Sequence, residues 1–224
     1  MHLELPKVPL KSFSDFLKHY LMIVLSILTA LGLEAWIEHA HHTHAAEIGS
    51  QQIEAEIRTN LAAVQKDLQH DTEQLGRLNK IRNVVIQDLK AHAPDDVIKQ
   101  HILAQTSDHF ALNLFFPTLR QEAWDVAVAN QSASWMDAER MQRYSAAYAR
   151  QRDVVNKMAE NTTLLAGNGH LIDVFADLQI NEVQPRDFLH TVSQMAALQQ
   201  QAVNELRELE DQLNSSLTPK PKTG

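Results

Sequence analysis

The sequence predicts an all-α protein: one N-terminal transmembrane helix continuing into a long stalk helix, packed with further helices as an extracytoplasmic bundle. Three observations carry this. Glycine (6) and proline (7) are scarce in 224 residues, so an all-β chain would lack its turns. Residues 19–33 contain no Asp, Glu, Lys or Arg. Beyond them, apolar residues recur at alternating spacings of three and four.

Composition narrows the function classes. With 44% apolar residues the chain can bury a core and is not a disordered polymer. A formal net charge of −8 and no stripe of Lys or Arg argue against nucleic acid as a partner. The absence of cysteine excludes disulfides, thiol catalysis and Cys-ligated zinc.

The predicted span covers residues 16–37. The uncharged run alone is about 22 Å as a helix, and its apolar flanks bring it to about 33 Å, against a hydrocarbon core of about 30 Å. Lys18 can snorkel to one interface, and Tyr20 and Trp36 stand where interfacial aromatics are expected. Lys7, Lys11 and Lys18 precede the span; Glu34, Glu38 and Glu47 follow it. The positive-inside rule then leaves residues 1–15 as a short cytoplasmic segment and exports the rest. The expected location is the bacterial inner membrane, single-pass, with a periplasmic C-terminal domain. A cleaved signal peptide, with Ala30-Leu31-Gly32 as its small-x-small site, and a buried core helix are the competing readings. Against both, the helical pattern continues through Trp36 without a break.

Residues 38–46 form a His-rich juxtamembrane linker, and residues 47–215 a helical extracytoplasmic domain. In its stalk, residues 47–89, Ile57, Leu61, Val64, Leu68, Leu75, Leu78, Val85 and Leu89 make an a/d seam. Asp71 and Arg82 occupy two slots of that seam as register devices or an interior salt bridge. The seam either packs into its own bundle or makes a homo-oligomer through the stalk.

Pro94 closes the stalk, and a short helix follows over residues 96–105. After a loop over residues 106–114, Phe115-Phe116-Pro117 reads as a buried entry into a helix ending near Ala129, with Asn130 as a left-handed C-cap. Ser134-Trp135-Met136-Asp137 reads as a capping box opening a long helix to Ala166. Its expected apolar face is Met141, Tyr144, Tyr148, Val155, Met158 and Leu165. Gly167-Asn168-Gly169 stops it. A short helix over 170–178 and a last one from Pro185 to about Leu213 follow, the latter on Phe188, Val192, Met195, Val203, Leu206, Leu209 and Leu213. Both long helices are expected to return antiparallel to the stalk, and residues 216–224 to form a disordered tail.

Short motifs add a resemblance. Glu34-Ala35-Trp36 ends the hydrophobic helix, and Ile53-Glu54-Ala55-Glu56-Ile57-Arg58 with Asn60-Leu61 opens the stalk. Ala123-Trp124-Asp125 lies mid-chain, Asn130 stands where glycine is commoner, and a Tyr-containing helix start spans 141–148. In these the chain resembles an uncharacterised family of bacterial single-pass membrane proteins, whose members have an N-terminal helix ending in Trp and a helical extracytoplasmic domain. The resemblance is loose but covers most of the chain. It implies the anchor and the topology and no activity; the His-rich insert departs from it.

Candidate chemistry is sparse. Glu38, His39, His41, His42 and His44 place imidazoles three apart on a helix, with Glu38 four before His42. Two-point chelation of Zn or Cu follows geometrically, completed by oligomerisation, as does a pH response; the alternative is a solvated linker with no cofactor. Trp124, Tyr144 and Tyr148, with Trp135, either line a groove for a partner or belong to the core. Asp108-His109 has no nucleophile placed beside it. The expected function is a membrane-anchored, non-catalytic protein-interaction or scaffold module, its partners the lipid bilayer and an unidentified envelope protein. The alternative is a metal- or pH-responsive envelope protein acting through the histidines.

Overall fold

The computed structural model describes residues 13–106, 115–167 and 169–218; the side chains of residues 164–166 are not described. No strand occurs among the described residues. The first helix, α1 (Phe13–Lys90), runs 78 residues without interruption. At 1.5 Å per residue it is about 117 Å long. It is followed by α2 (Asp95–Thr106), α3 (Glu122–Ala129), a 3-10 turn (Ser132–Trp135), α4 (Ala138–Ala166), α5 (Gly169–Gln179) and α6 (Pro185–Leu217).

α1 has two environments. Its N-terminal part is long and apolar enough to cross a membrane, and none of that apolar window is covered by the rest of the fold. Leu25 is 66% exposed and Trp36 is 68%, whereas Ile53 is 0%. The change begins at Ala46, the first buried residue of the helix. Residues 38–46 are helical throughout, so the His-rich stretch is a section of α1 and not a hinge.

From Ala46 onward α1 packs against α4 and α6. Paired positions give the directions. Glu47, Ser50, Glu56 and Asn60 meet Arg140, Tyr144, Tyr148 and Gln151 in the same order, so α4 runs parallel to α1. Gln65 meets Glu210 and Asp71 meets Gln199, so α6 runs antiparallel. The expectation that both long helices return antiparallel therefore holds for α6 and fails for α4. The reason is the connection: after α2 the chain descends along α1 through residues 115–135 before α4 starts, which leaves α4 pointing upward.

Two apolar clusters fill the bundle. The proximal one joins Ile53, Ile57 and Val64 of α1 to Tyr144, Tyr148 and Val154 of α4 and Leu206, Leu209 and Leu213 of α6. The distal one joins Leu75, Leu78, Ile81 and Val85 to Ile98 and Ile102 of α2, Val174 of α5, and Phe188, Val192 and Met195 of α6. The stalk seam is thus covered by the chain's own helices. Its buried positions run through Ile53, Asn60 and Ile81, while Leu61, Leu68 and Leu89 are only partly covered. On α4 the buried residue is Val154, and Val155 is 45% exposed. Leu165 lies among the side chains not described.

Several local expectations shift. Pro117 is buried in an extended stretch, not in a helix, and Phe115 and Phe116 are exposed. Proline has no N–H to satisfy, so burying it outside a helix costs no donor. Helix α3 starts only at Glu122. The left-handed residue after it is Gln131 (φ 65), while Asn130 has φ −90 and its Oδ1 accepts the Ser132 N–H. Ser134 lies inside the 3-10 turn; Asp137 caps α4 by accepting the Arg140 N–H at 2.9 Å. At the C-terminal end α6 continues to Leu217, with Ser216 buried, so the expected disordered tail begins too early; residues 219–224 lie outside the described residues, as do residues 1–12 and Asp108-His109.

Asp71 and Arg82 form no ion pair with each other: eleven residues separate them by about 16 Å along one helix. Asp71 is wholly buried, and neither carboxylate oxygen has a hydrogen-bond partner among the described residues. Burial pushes its pKa from 3.8 to about 6; the Phe115 N–H and the Gln199 amide, near the carboxylate but outside hydrogen-bonding geometry, and His70 oppose that only in part, and Asp67 adds to it. The folded state therefore binds this proton more tightly than the unfolded chain. The stability Asp71 supplies is present below pH 3.8 and lost as pH rises through about 6. Asp71→Asn should match the parent near pH 4 and gain on it by roughly 1–2 kcal/mol by pH 7. Thermal melts of both proteins in detergent across that range check this; a difference that stays flat with pH contradicts it.

Candidate functional site

Apart from Asp71 and Arg82, which lie farther along α1, the residues singled out by sequence fall in the half of the bundle nearest the exposed apolar stretch of α1. Helix α3 descends alongside α1, the 3-10 turn forms the corner, and α4 departs upward. The corner approaches α1 at Gly49. A methyl added there would stand 2.7 Å from Ser132 Oγ and 3.2 Å from Met136 Cε, so only glycine lets the turn seat this closely.

About two turns earlier on α1, His42 lies flat on Trp135, with ring centroids 3.5 Å apart and planes 8° from parallel. His42 is half-buried by this stack, while Glu38, His39, His41 and His44 are exposed. The structure thus separates the five residues: one is engaged by the bundle and four point to open surface. No three His, Asp or Glu side chains converge on a metal-sized site among the described residues.

Above the corner, polar side chains hold the extended stretch that leads into α3. Asn60, wholly buried, donates through Nδ2 to the Arg120 carbonyl (2.7 Å) and to Gln151 Oε1 (2.9 Å), and accepts the Arg120 N–H at 2.9 Å. Gln151 Nε2 donates to the same carbonyl at 2.8 Å. Glu56 accepts the Ala123 N–H (3.0 Å) at the positive N-terminal end of α3 and the Tyr148 hydroxyl (2.6 Å). Burial pushes the Tyr148 phenol pKa up, and the neighbouring Glu56 carboxylate adds to the rise. Tyr144 donates to Glu54 at 2.8 Å and shares a 2.8 Å hydrogen bond with Ser50; burial raises its pKa too. An extended segment has no internal partners for its peptide groups, and these side chains supply them.

Tyr144 and Tyr148 are therefore core residues with anchored hydroxyls. Trp124 is half-buried and stacks on Tyr148 at 5.5 Å. Its open side joins Val128, Ala133, Met136 and Met141 around a shallow groove of ≈ 430 Å³. Arg140 ties the start of α4 to Glu47 (3.2 Å) and Asp137 (3.2 Å). Its hydrogen bond holds the Glu47 carboxyl below the ordinary range.

Sequence reasoning named Trp124, Tyr144 and Tyr148 as candidates; it quoted Glu56 and Asn60 only as motif residues without a role, and missed Gln151 and Gly49. A signal for Asn60 existed: Ile53, Ile57 and Val64 leave a slot at position 60 that a buried polar side chain fills. Comparison with protein-family models, with curated proteins and with solved structures gives no match.

Glycine at 49 should be far less replaceable than glycine at 76, whose added methyl meets nothing within 4 Å. Gly49→Leu is expected to cost roughly 1–3 kcal/mol by overpacking. Gly76→Ala is expected to gain roughly 0.5–1 kcal/mol through helix propensity. Melting of the two variants followed by circular dichroism checks the contrast, and shifts of the same sign contradict it.

Proposed function

We propose that this chain is a single-pass protein of the bacterial inner membrane, with its N-terminus in the cytoplasm and a periplasmic helical bundle that serves as an interaction or scaffold module without catalysis. The observation that carries the reading is the division of α1: an apolar stretch left wholly uncovered by the fold, continued without a break into a helix that forms the bundle's core. In water that stretch would leave a large apolar surface exposed, and a bilayer is the solvent that removes this cost.

Lysines before the span and glutamates after it support the orientation. Support for a non-catalytic role comes from how the polar interior is used: Asn60, Gln151, Glu56 and Tyr148 are engaged in holding backbone and one another. The stalk seam is covered from within the same chain, so a partner would meet the outer surface of the bundle. An envelope protein is the partner class this placement favours.

Membrane anchorage and direction are tested together. Full-length protein made in a bacterium should sediment with membranes, resist extraction by high salt and carbonate, and be released by detergent. Protease added to spheroplasts should degrade the bundle. Recovery in the soluble fraction, or a bundle protected until the cells are lysed, would sink the proposal.

A further inference from the structure

The corner between α3 and α4 carries more exposed apolar surface than a bundle end in water requires. Trp135 is 47% exposed although one face lies on His42, and Val126 and Val128 are each 52% exposed. Met141, in the first turns of α4, is 38% exposed. Trp135, at the level of His42, belongs to the lowest part of the bundle, where the descending chain turns upward; Val126, Val128 and Met141 lie above it, as the pairings of Ala123 with Glu56 and Arg140 with Glu47 require.

Height along α1 decides what they meet. His42, and hence Trp135, is six residues beyond Trp36, about 9 Å along the axis. The headgroup layer on each side of a bilayer is about 5–8 Å deep. With Trp36 at the hydrocarbon boundary, the indole of Trp135 stands at the outer edge of the headgroup layer, and a modest tilt of α1 toward the corner brings it inside. Indole prefers this layer because its ring is apolar and its N–H needs a polar partner. The exposed polar residues of the turn, Asn130, Gln131 and Ser134, suit the same environment.

Charge near the corner is close to balance: Asp137 and Glu47 share Arg140, and Glu139 pairs with Arg143. Glu38, one turn before His42, and Asp125 are exposed, so a zwitterionic headgroup suits this surface better than an anionic one.

We propose that the α3–α4 corner is a second membrane contact: Trp135 rests in the headgroup layer of the phospholipid bilayer that α1 spans, α1 tilting toward the corner to seat it. This rests on the anchored reading above. α1 alone fixes the bundle's height but leaves it free to tilt and to rotate about the helix axis. A second contact to one side fixes both, and the bundle then presents one face of its outer surface away from the membrane.

The test uses full-length protein in phosphatidylcholine vesicles, with and without a phospholipid carrying a nitroxide on its headgroup. Three single-tryptophan proteins retain Trp36, Trp124 or Trp135, the other two positions being changed to Phe. Trp124 sits high in the bundle beside Tyr148 and serves as the water-side reference. Trp135 emission should fall by roughly twofold with the headgroup nitroxide while Trp124 is spared, as interfacial placement requires. Trp135 quenched no more than Trp124 would overturn the proposal, whether the corner is then covered by a second copy or bare. Loss of quenching at Trp36 as well would instead remove the anchored reading itself. If Trp124→Phe unfolds the bundle, the contribution of Trp135 is read as the difference between Trp36→Phe and Trp36→Phe/Trp135→Phe.

Discussion

An α-helix of 78 residues with no break fixes how everything else in this molecule can be placed. Its backbone hydrogen bonds are all internal, which suits it to lipid and to a packed core alike. Solvent changes along it while conformation does not. Apolar side chains face outward on all sides before residue 38, and from Ala46 they narrow to a stripe that α4 and α6 cover. The remaining helices have no independent purchase: each core cluster includes α1 residues. Whatever the bundle meets, it meets at a height set by α1.

The second structural problem is the extended stretch over residues 115–121 that leads into α3. Its peptide groups lie against the bundle and cannot bond to one another. Asn60 and Gln151 close on the Arg120 peptide group, and Glu56 takes up an N–H at the start of α3. Gly49 then lets the 3-10 turn seat against α1. Buried amides and carboxylates here do what a helix ladder does elsewhere, at the cost of desolvating polar atoms that must all find partners. Asp71 shows the other outcome: a buried carboxylate without such partners, whose neutral form is favoured. Away from these sites the α4–α6 surface is joined by ordinary ion pairs, Arg150 and Lys157 closing on Glu205. Burial pushes the Glu205 carboxyl up, but the two cations outweigh it and hold it below its usual range.

Much of the fold was legible because it depends on long-period signals. Phe188, Val192, Met195, Val203, Leu206, Leu209 and Leu213 all lie buried on one face of α6, as spacing alone requires. The extent of α4 and its stop before α5 followed from the glycines that flank Asn168. Direction was not legible, because a short descending segment without periodicity decides whether α4 runs up or down. The caps near residues 130–137 slipped by one to three positions, since Asn130, Ser134 and Asp137 all suit a cap and only tertiary contact selects among them. At the candidate site, Trp124, Tyr144 and Tyr148 were visible as aromatics. The pairing of Trp135 with His42 was not, because it joins residues 93 positions apart through a turn whose approach depends on Gly49.

The continuity of α1 through the histidines is what transmits position from bilayer to bundle, and it can be measured directly. The chain has no cysteine, so a pair introduced at the exposed positions Thr29 and Ala55 takes spin labels cleanly. Twenty-six residues of helix separate these sites by about 39 Å. Double electron–electron resonance on the full-length protein in lipid nanodiscs should give one narrow distance distribution near that value. A broad distribution, or one centred well below it, would mean that the helix breaks between membrane and bundle, and the bundle would then be tethered, not held.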